Sequence, residues 1–159
     1  MIKKLAYISL ILWMMLIFSF SSQVREESHK LSTGITEIVV ETIEKLVPNK
    51  QIDVKKIHHL IRKNAHFLAY LVLGILSITV LRCSGIGVWK SILCALCICV
   101  IYAIGDEMHQ AFVPGRGPGI KDVFIDSAGS LVGVTIYLGF RRILQRRSIR
   151  RMTKGDCHQ

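Results

Sequence analysis

Residues 105–126 read Gly-Asp-Glu-Met-His-Gln-Ala-Phe-Val-Pro-Gly-Arg-Gly-Pro-Gly-Ile-Lys-Asp-Val-Phe-Ile-Asp and separate two long apolar runs. This segment holds four of the eleven acidic residues in the 159-residue chain. Ionisable side chains beside hydrocarbon are costly unless they are paired or serve a function. Because the segment lies between two apolar runs, we expect the chain to turn there. Its ionisable residues make it the first candidate for a functional site.

The rest of the chain is divided by four apolar runs of 16–18 residues, which are Leu5–Phe20, Ala65–Leu81, Val88–Ile104 and Val123–Phe140. About half of all residues are hydrophobic and the mean hydropathy is +0.43, which is not typical of a soluble domain. A helix needs roughly 17–25 apolar residues to cross a bilayer, and helices satisfy their own backbone polar groups there. We therefore predict an all-α, integral membrane four-helix bundle with spans at about residues 5–22, 65–81, 88–104 and 123–140.

The net charge of +10 is distributed unevenly among the segments that flank these runs. With a cytoplasmic N-terminus, the inner segments carry eleven cations and one acid, whereas the outer segments carry ten of each. An excess of cations on the cytoplasmic side is the usual pattern in membrane proteins. We predict that both termini are cytoplasmic, with a membrane domain at residues 1–140 and a basic tail at residues 141–159. The expected partner is the lipid bilayer of the cell membrane, and nucleic acid is not expected.

The first apolar run and the outer segment after it allow two further predictions. The run resembles a secretory signal with small residues at Ser19 and Ser21, although its length favours an uncleaved helix. In residues 31–46, apolar side chains recur with helical spacing, which predicts an extracytoplasmic amphipathic helix between the first two spans. Asp53 is a suitable N-cap for a second helix that continues into the membrane.

The five cysteines do not form a disulfide framework, because none of them lies in an outer segment. Cys94-x-x-Cys97 has a redox or zinc spacing, but apolar packing is expected for thiols inside a membrane span. Gly129 and Gly133 have the small-xxx-small spacing that permits close contact between membrane helices.

Polar residues gather where three of the predicted helices reach the outer surface. Arg62, His66 and Tyr70 lie four residues apart on one helical stripe, and Asp122 and Asp126 share another. The turn between the third and fourth helices adds further charge, so that the candidate polar cluster comprises Arg62, Lys63, His66, Tyr70, Asp106, Glu107, His109, Gln110, Arg116, Asp122 and Asp126. Carboxylates, histidines and cations at one membrane surface are typical of a functional site.

The motif blocks along the chain resemble those of the VanZ-like membrane proteins. They are Phe20-Ser21-Ser22-Gln23, Arg62-Lys63-x-x-His66-Phe67-x-x-Tyr70, Asp106-Glu107-x-His109-Gln110-x-Phe112-x-x-x-Arg116 and Asp122-x-x-x-Asp126. They occur in order between about Lys4 and Phe140, and their joint occurrence makes the resemblance specific. The resemblance implies a Gram-positive bacterial membrane protein of the cell envelope, associated with resistance to teicoplanin-type glycopeptides. It does not supply a reaction.

Three functions are compatible with the cluster. The first is binding of a lipid-linked or peptidyl cell-wall precursor, a glycopeptide or a partner protein, with Arg62, Lys63 and Arg116 taking phosphate or carboxylate groups. The second is a membrane-embedded hydrolase or transferase that acts on a cell-wall precursor by acid–base or metal chemistry. The third is structural, with charges that only hold the helix ends together.

A divalent metal is possible but not required by the sequence, which implies no other cofactor. The candidate ligands are His66, Glu107 and His109. The spacing of the acids and the histidine in the 105–110 stretch is not an established ligand pattern.

Overall fold

The computed structural model describes residues 2–22, 54–113 and 119–155. These residues form four α-helices, namely α1 (Ile2–Ser21), α2 (Val54–Cys83), α3 (Val88–Gln110) and α4 (Ile120–Gly155). Each helix is long and apolar enough to cross a membrane, over Lys3–Ser21, Leu60–Cys83, Val88–Gln110 and Ile120–Arg146. Over the described residues, the prediction of an all-α fold with four helices long and apolar enough to cross a membrane is confirmed.

The helices extend beyond the apolar runs that predict them. The second helix is continuous from Val54 into the membrane, as expected. The third continues past Ile104 to Gln110, so the acidic residues at its end are helical. The fourth continues through residues 141–155, which makes the basic stretch there a helical extension. The predicted amphipathic helix at residues 31–46 and the predicted N-cap Asp53 lie outside the described residues.

The turn between α2 and α3 explains why two antiparallel spans follow each other so closely. Gly85 has φ 87°, a left-handed conformation that glycine adopts without steric cost. The Ile86 N–H donates to the Leu81 carbonyl at 3.2 Å, and the Gly85 N–H donates to the Arg82 carbonyl at 3.2 Å. This pair of bonds is a Schellman motif, which ends α2 and reverses the chain.

Helices α2 and α4 pack with their backbones in direct contact. A Cβ at Gly129 would collide with the Phe67 carbonyl oxygen, and one at Gly133 would collide with the Leu71 carbonyl oxygen. On α2, a Cβ at Gly74 would meet the backbone of α4 in the same way. The predicted small-xxx-small contact is therefore present, and it fixes the register in which side chains of α2 face those of α4.

Helix α1 packs along α2 and α3. The Trp13 indole N–H donates to the Ala69 carbonyl of α2 at 2.9 Å, and the Tyr102 hydroxyl of α3 donates to the Met14 carbonyl at 2.6 Å. Ile17 joins the buried core that also contains Tyr70, Leu73, Cys99 and Ala103. Cys83, Cys94, Cys97 and Cys99 are free, and Cys157 lies outside the described residues.

The alternating helix directions give the bundle two chemically different ends. At one end, the Tyr7 and Ser84 hydroxyls lie 2.9 Å apart, near the lysines at the start of α1 and the arginines of α4 beyond residue 140. We call this the basic end. At the other end, α1 and α3 finish and the membrane-spanning parts of α2 and α4 begin, so the polar residues of the predicted cluster converge there. We call this the cluster end.

Candidate functional site

An ion pair between α2 and α4 forms the rim of the cluster. Lys63 Nζ lies 2.7 Å from Asp122 Oδ1, and the two side chains are 25% and 30% exposed. Lys63 lies about one turn before Phe67 and Asp122 about two turns before Gly129. The close approach of the two backbones at Gly129 therefore helps to bring these side chains together. Asp122 also lies in the first turn of α4, where the helix dipole favours a carboxylate.

One turn deeper, His66 of α2 faces Asp126 of α4. Their Nδ1 and Oδ2 atoms are 3.8 Å apart, which is too long for a hydrogen bond. The His66 side chain is 22% exposed, whereas Asp126 is 4% exposed. A carboxylate is therefore held inside the bundle beside an imidazole that it does not bind directly.

Helix α3 contributes Asp106 to the same place. Asp106 is buried, and its Oδ2 accepts a hydrogen bond from Gln110 Nε2 at 3.1 Å. The same Gln110 nitrogen donates to Ser21 Oγ of α1 at 2.7 Å. All four helices thus meet at the cluster, because Gln110 joins the end of α1 to the carboxylate of Asp106.

His66, Asp106 and Asp126 form a compact group within this cluster. Each offers one nitrogen or oxygen atom, and the three atoms lie within 4.8 Å of one another. The Oδ1 atoms of Asp106 and Asp126 are buried and accept no hydrogen bond from any residue of the described part of the chain. Unsatisfied buried acceptors are costly, and more so when the group is charged.

Two of the three predicted metal candidates point elsewhere. Glu107 accepts a hydrogen bond from the backbone N–H of Gly119, just before α4. His109 lies against the Phe18 ring of α1, with ring centroids 4.6 Å apart. Among the described residues, the structure therefore groups His66 with Asp106 and Asp126 rather than with Glu107 and His109.

A small cavity opens beside this group, with side chains of α2, α3 and α4 around it. It is lined by Arg62, Lys63, His66, Gln110, Asp122, Ile125 and Asp126. Lys63 is paired with Asp122, but no described carboxylate lies within ion-pair distance of the Arg62 guanidinium. Arg62 is therefore a cation at the cavity that has no ion-pair partner among the described residues.

The two remaining predicted members have different positions. Tyr70 is fully buried in the core below the cavity, and its hydroxyl has no hydrogen-bond partner among the described residues. Its ring centroid lies 6.2 Å from that of Tyr102. Arg116 lies outside the described residues, so its place in the cluster stays a prediction.

The charges of the described cluster do not balance. It contains four carboxylates and two side chains with a permanent positive charge. Lys63 neutralises Asp122, and a backbone N–H donates to Glu107. No described lysine or arginine lies within ion-pair distance of the deeply buried Asp106 and Asp126, which face His66 and the Gln110 amide. The described cluster therefore contains more acidic side chains than permanent cations.

Ser21 belongs to the cluster in the structure, although it was not among the cluster residues predicted from the sequence. Its hydroxyl is buried at the end of α1 and accepts the hydrogen bond from Gln110. The polar run Ser21-Ser22-Gln23 directly after an apolar span was the signal in the sequence. Helical spacing alone does not show which of these side chains turns inward.

The comparisons with known proteins bear on this arrangement as a whole. A family model described as VanZ/LLP1 matches residues 6–144, which include all of the candidate cluster and parts of all four helices. No curated protein and no solved structure gave a significant match. The family model covers well over half of the chain, and the resemblance drawn from the motif blocks is confirmed. The chain belongs to the VanZ/LLP1 family.

Proposed function

We propose that this membrane protein binds the phosphate-bearing headgroup of a lipid-linked cell-envelope molecule at the cluster end. The observation that carries the proposal is Arg62, which lines the cavity without a described carboxylate partner. A guanidinium presents a fork of donors that matches phosphate and carboxylate oxygens. A ligand anchored in the bilayer reaches this position by lateral diffusion, because the cavity lies among the ends of membrane-spanning helices.

The same proposal places the cluster end on the extracytoplasmic side. The basic end carries the cation excess of the chain, including the arginines of α4 beyond residue 140. This distribution supports a cytoplasmic basic end by the positive-inside rule. A cysteine introduced at exposed Lys121, near the cluster end, should react with a membrane-impermeant maleimide in intact cells. Labelling only after the cells are opened would contradict this orientation. The four native free cysteines and Cys157 are replaced by serine beforehand.

Binding is tested directly with the full chain in lipid nanodiscs and a fluorescent polyprenyl phosphate as the probe. Arg62→Ala should weaken binding by about tenfold or more, since a charge-assisted hydrogen bond contributes about 1.5–3 kcal/mol. Lys121→Ala is the matched control, because it removes an exposed cation that does not line the cavity. Equal probe binding by the wild type and Arg62→Ala would refute the proposal.

The link to glycopeptide resistance follows from the same proposal. A protein that holds a lipid-linked cell-wall precursor changes the access of a teicoplanin-type antibiotic to it. Cells expressing Arg62→Ala should then be more susceptible than cells expressing wild type at the same protein level. Unchanged susceptibility would separate the binding activity from resistance.

A second candidate function is hydrolysis or transfer at that phosphate, and the group formed by His66, Asp106 and Asp126 favours it. A nitrogen and two carboxylates next to Arg62 are suited to activating water as a base or through a metal. In hydrolysis the water oxygen bonds to phosphorus, the bond from phosphorus to the leaving oxygen breaks, and that oxygen takes a proton. Release of inorganic phosphate from a polyprenyl diphosphate, lost in Asp126→Asn, is the test. If the wild type releases no inorganic phosphate, this second function is refuted and the binding function remains.

A further inference from the structure

We infer that His66, Asp106 and Asp126 form a binding site for one divalent transition-metal ion. The inference concerns the site of the proposed function and rests on the proposal that this site takes a ligand. The proposed function concerns a phosphate group held by Arg62. The present inference concerns a metal ion held by the protein, to which that phosphate group would also bind.

The distances suit an ion between the three side chains. Metal–ligand bonds to imidazole nitrogen and carboxylate oxygen are about 2.0–2.2 Å, which places two donors of a tetrahedral site roughly 3.4 Å apart. The His66 and Asp126 atoms lie 3.8 Å apart, and all three donor atoms lie within 4.8 Å of one another. Side-chain movements of less than about 1 Å therefore complete the site.

The burial of the two carboxylates is a second reason to expect a bound ion here. Asp106 and Asp126 are 5% and 3% exposed, and the Oδ1 atom of each is buried without a hydrogen-bond donor in the described part of the chain. Asp122 shows how this bundle neutralises a carboxylate with a side chain, because it is half-buried and paired with Lys63. The deeper pair has no such cation, and a bound metal ion supplies the missing charge.

The donor set indicates which ions fit. One imidazole nitrogen with two carboxylate oxygens suits Zn²⁺ or Mn²⁺ better than Ca²⁺ or Mg²⁺, which prefer oxygen ligands alone. Three protein ligands leave at least one coordination position for water or for a phosphate oxygen. That position would face the cavity that Arg62 also lines.

The surroundings hold these ligands in place. Gln110 Nε2 donates to Asp106 Oδ2 and to Ser21 Oγ, so the Asp106 carboxylate is anchored to two helices. The contact between Gly129 and the Phe67 carbonyl fixes α4 against α2 within one turn of Asp126 and next to His66. Outer partners of this kind orient metal ligands and raise metal affinity.

The test uses the full chain in phosphatidylcholine nanodiscs, freed of metal with a chelator and then titrated with Mn²⁺. The electron paramagnetic resonance signal of free Mn²⁺ should fall until one ion is bound per chain, and Zn²⁺ should displace it. Asp106→Asn and Asp126→Asn should each weaken Mn²⁺ binding by more than about tenfold, the cost of losing even an outer partner. With Co²⁺, His66→Gln should change the visible absorption bands, since nitrogen ligation is lost.

The matched control is Asp122→Asn, which removes the same charge one turn away on α4. It should change Mn²⁺ affinity by less than about fivefold, as expected of a partly exposed charge. Equal loss in Asp122→Asn and Asp126→Asn would show general electrostatic attraction and overturn the site. Absence of saturable binding by wild type would overturn it without any variant. Binding of the polyprenyl phosphate probe by a wild type that binds no Mn²⁺ would refute the metal site and leave the proposed function standing.

Discussion

The close contact between α2 and α4 yields a prediction that tests fold and site together. Gly129→Ala places a Cβ against the carbonyl oxygen of Phe67, and both groups are fixed to helical backbones. Neither can rotate away, so the helices must separate. Gly139→Ala is the control on the same helix, because a Cβ there meets nothing within 4 Å.

The magnitude follows from two opposing terms. Overpacking a well-packed contact costs about 1–3 kcal/mol, and occasionally more. Replacing glycine by alanine in a helix with open space around it stabilises by up to about 1 kcal/mol. Both glycines lie inside α4, so the gain from alanine applies to both variants and cancels from their difference. The two variants should thus differ by about 1–3 kcal/mol in free energy of unfolding, which is roughly 3–10 °C in Tm for a domain of this size.

Thermal unfolding of both variants in the same detergent provides the assay. Gly129→Ala should also weaken Mn²⁺ binding, because separating the helices moves Asp126 away from His66, whereas Gly139→Ala should bind Mn²⁺ like wild type. Equal Tm values for the two variants would refute the packing argument. A lower Tm with unchanged Mn²⁺ affinity would show that the ligands do not depend on this contact.

Three other predictions follow from the hydrogen bonds and charges of the cluster. Gln110→Ala leaves the buried Asp106 Oδ2 and Ser21 Oγ without this donor, so it should lower the free energy of unfolding by about 1–3 kcal/mol, measured by thermal unfolding. Lys63→Ala should cost less than about 1 kcal/mol, and this cost should shrink in high salt, because its pair with Asp122 is partly exposed. Arg116→Ala should weaken binding of the polyprenyl phosphate probe if its guanidinium joins Arg62 at the cavity, and unchanged binding would remove Arg116 from the cluster.

Much of the fold can be read from the sequence because the strongest signals are local. Four apolar runs predict four spans, and the spacing of Gly129 and Gly133 predicts a close helix contact. The polar residues at the cluster end follow from topology, since α1 and α3 end where the spans of α2 and α4 begin. These predictions need only the period of a helix and its direction.

The grouping within the cluster could not be predicted in the same way. Successive residues of a helix lie about 100° apart around its axis, so the rotation of α3 about that axis decides whether Asp106 or Glu107 faces α2. The sequence offered His66, Glu107 and His109 as candidate metal ligands, whereas the packed helices group His66 with Asp106 and Asp126. The rotation of α3 is set by packing against three neighbours, and this includes the bond from Gln110 to Ser21.

Thermal unfolding can distinguish a cluster that binds a ligand from one that only holds the helices together. Asp106→Asn and Asp126→Asn keep the side-chain shape but remove a buried charge that lacks a cationic side-chain partner in the described chain. If the cluster exists for a ligand, each variant in chelator should unfold at a temperature equal to or above that of wild type, while metal and probe binding fall. Groups arranged for function commonly cost stability in this way. If the charges serve only to join helices, both variants should unfold at a lower temperature, because breaking a paired buried charge destabilises by about 3–5 kcal/mol.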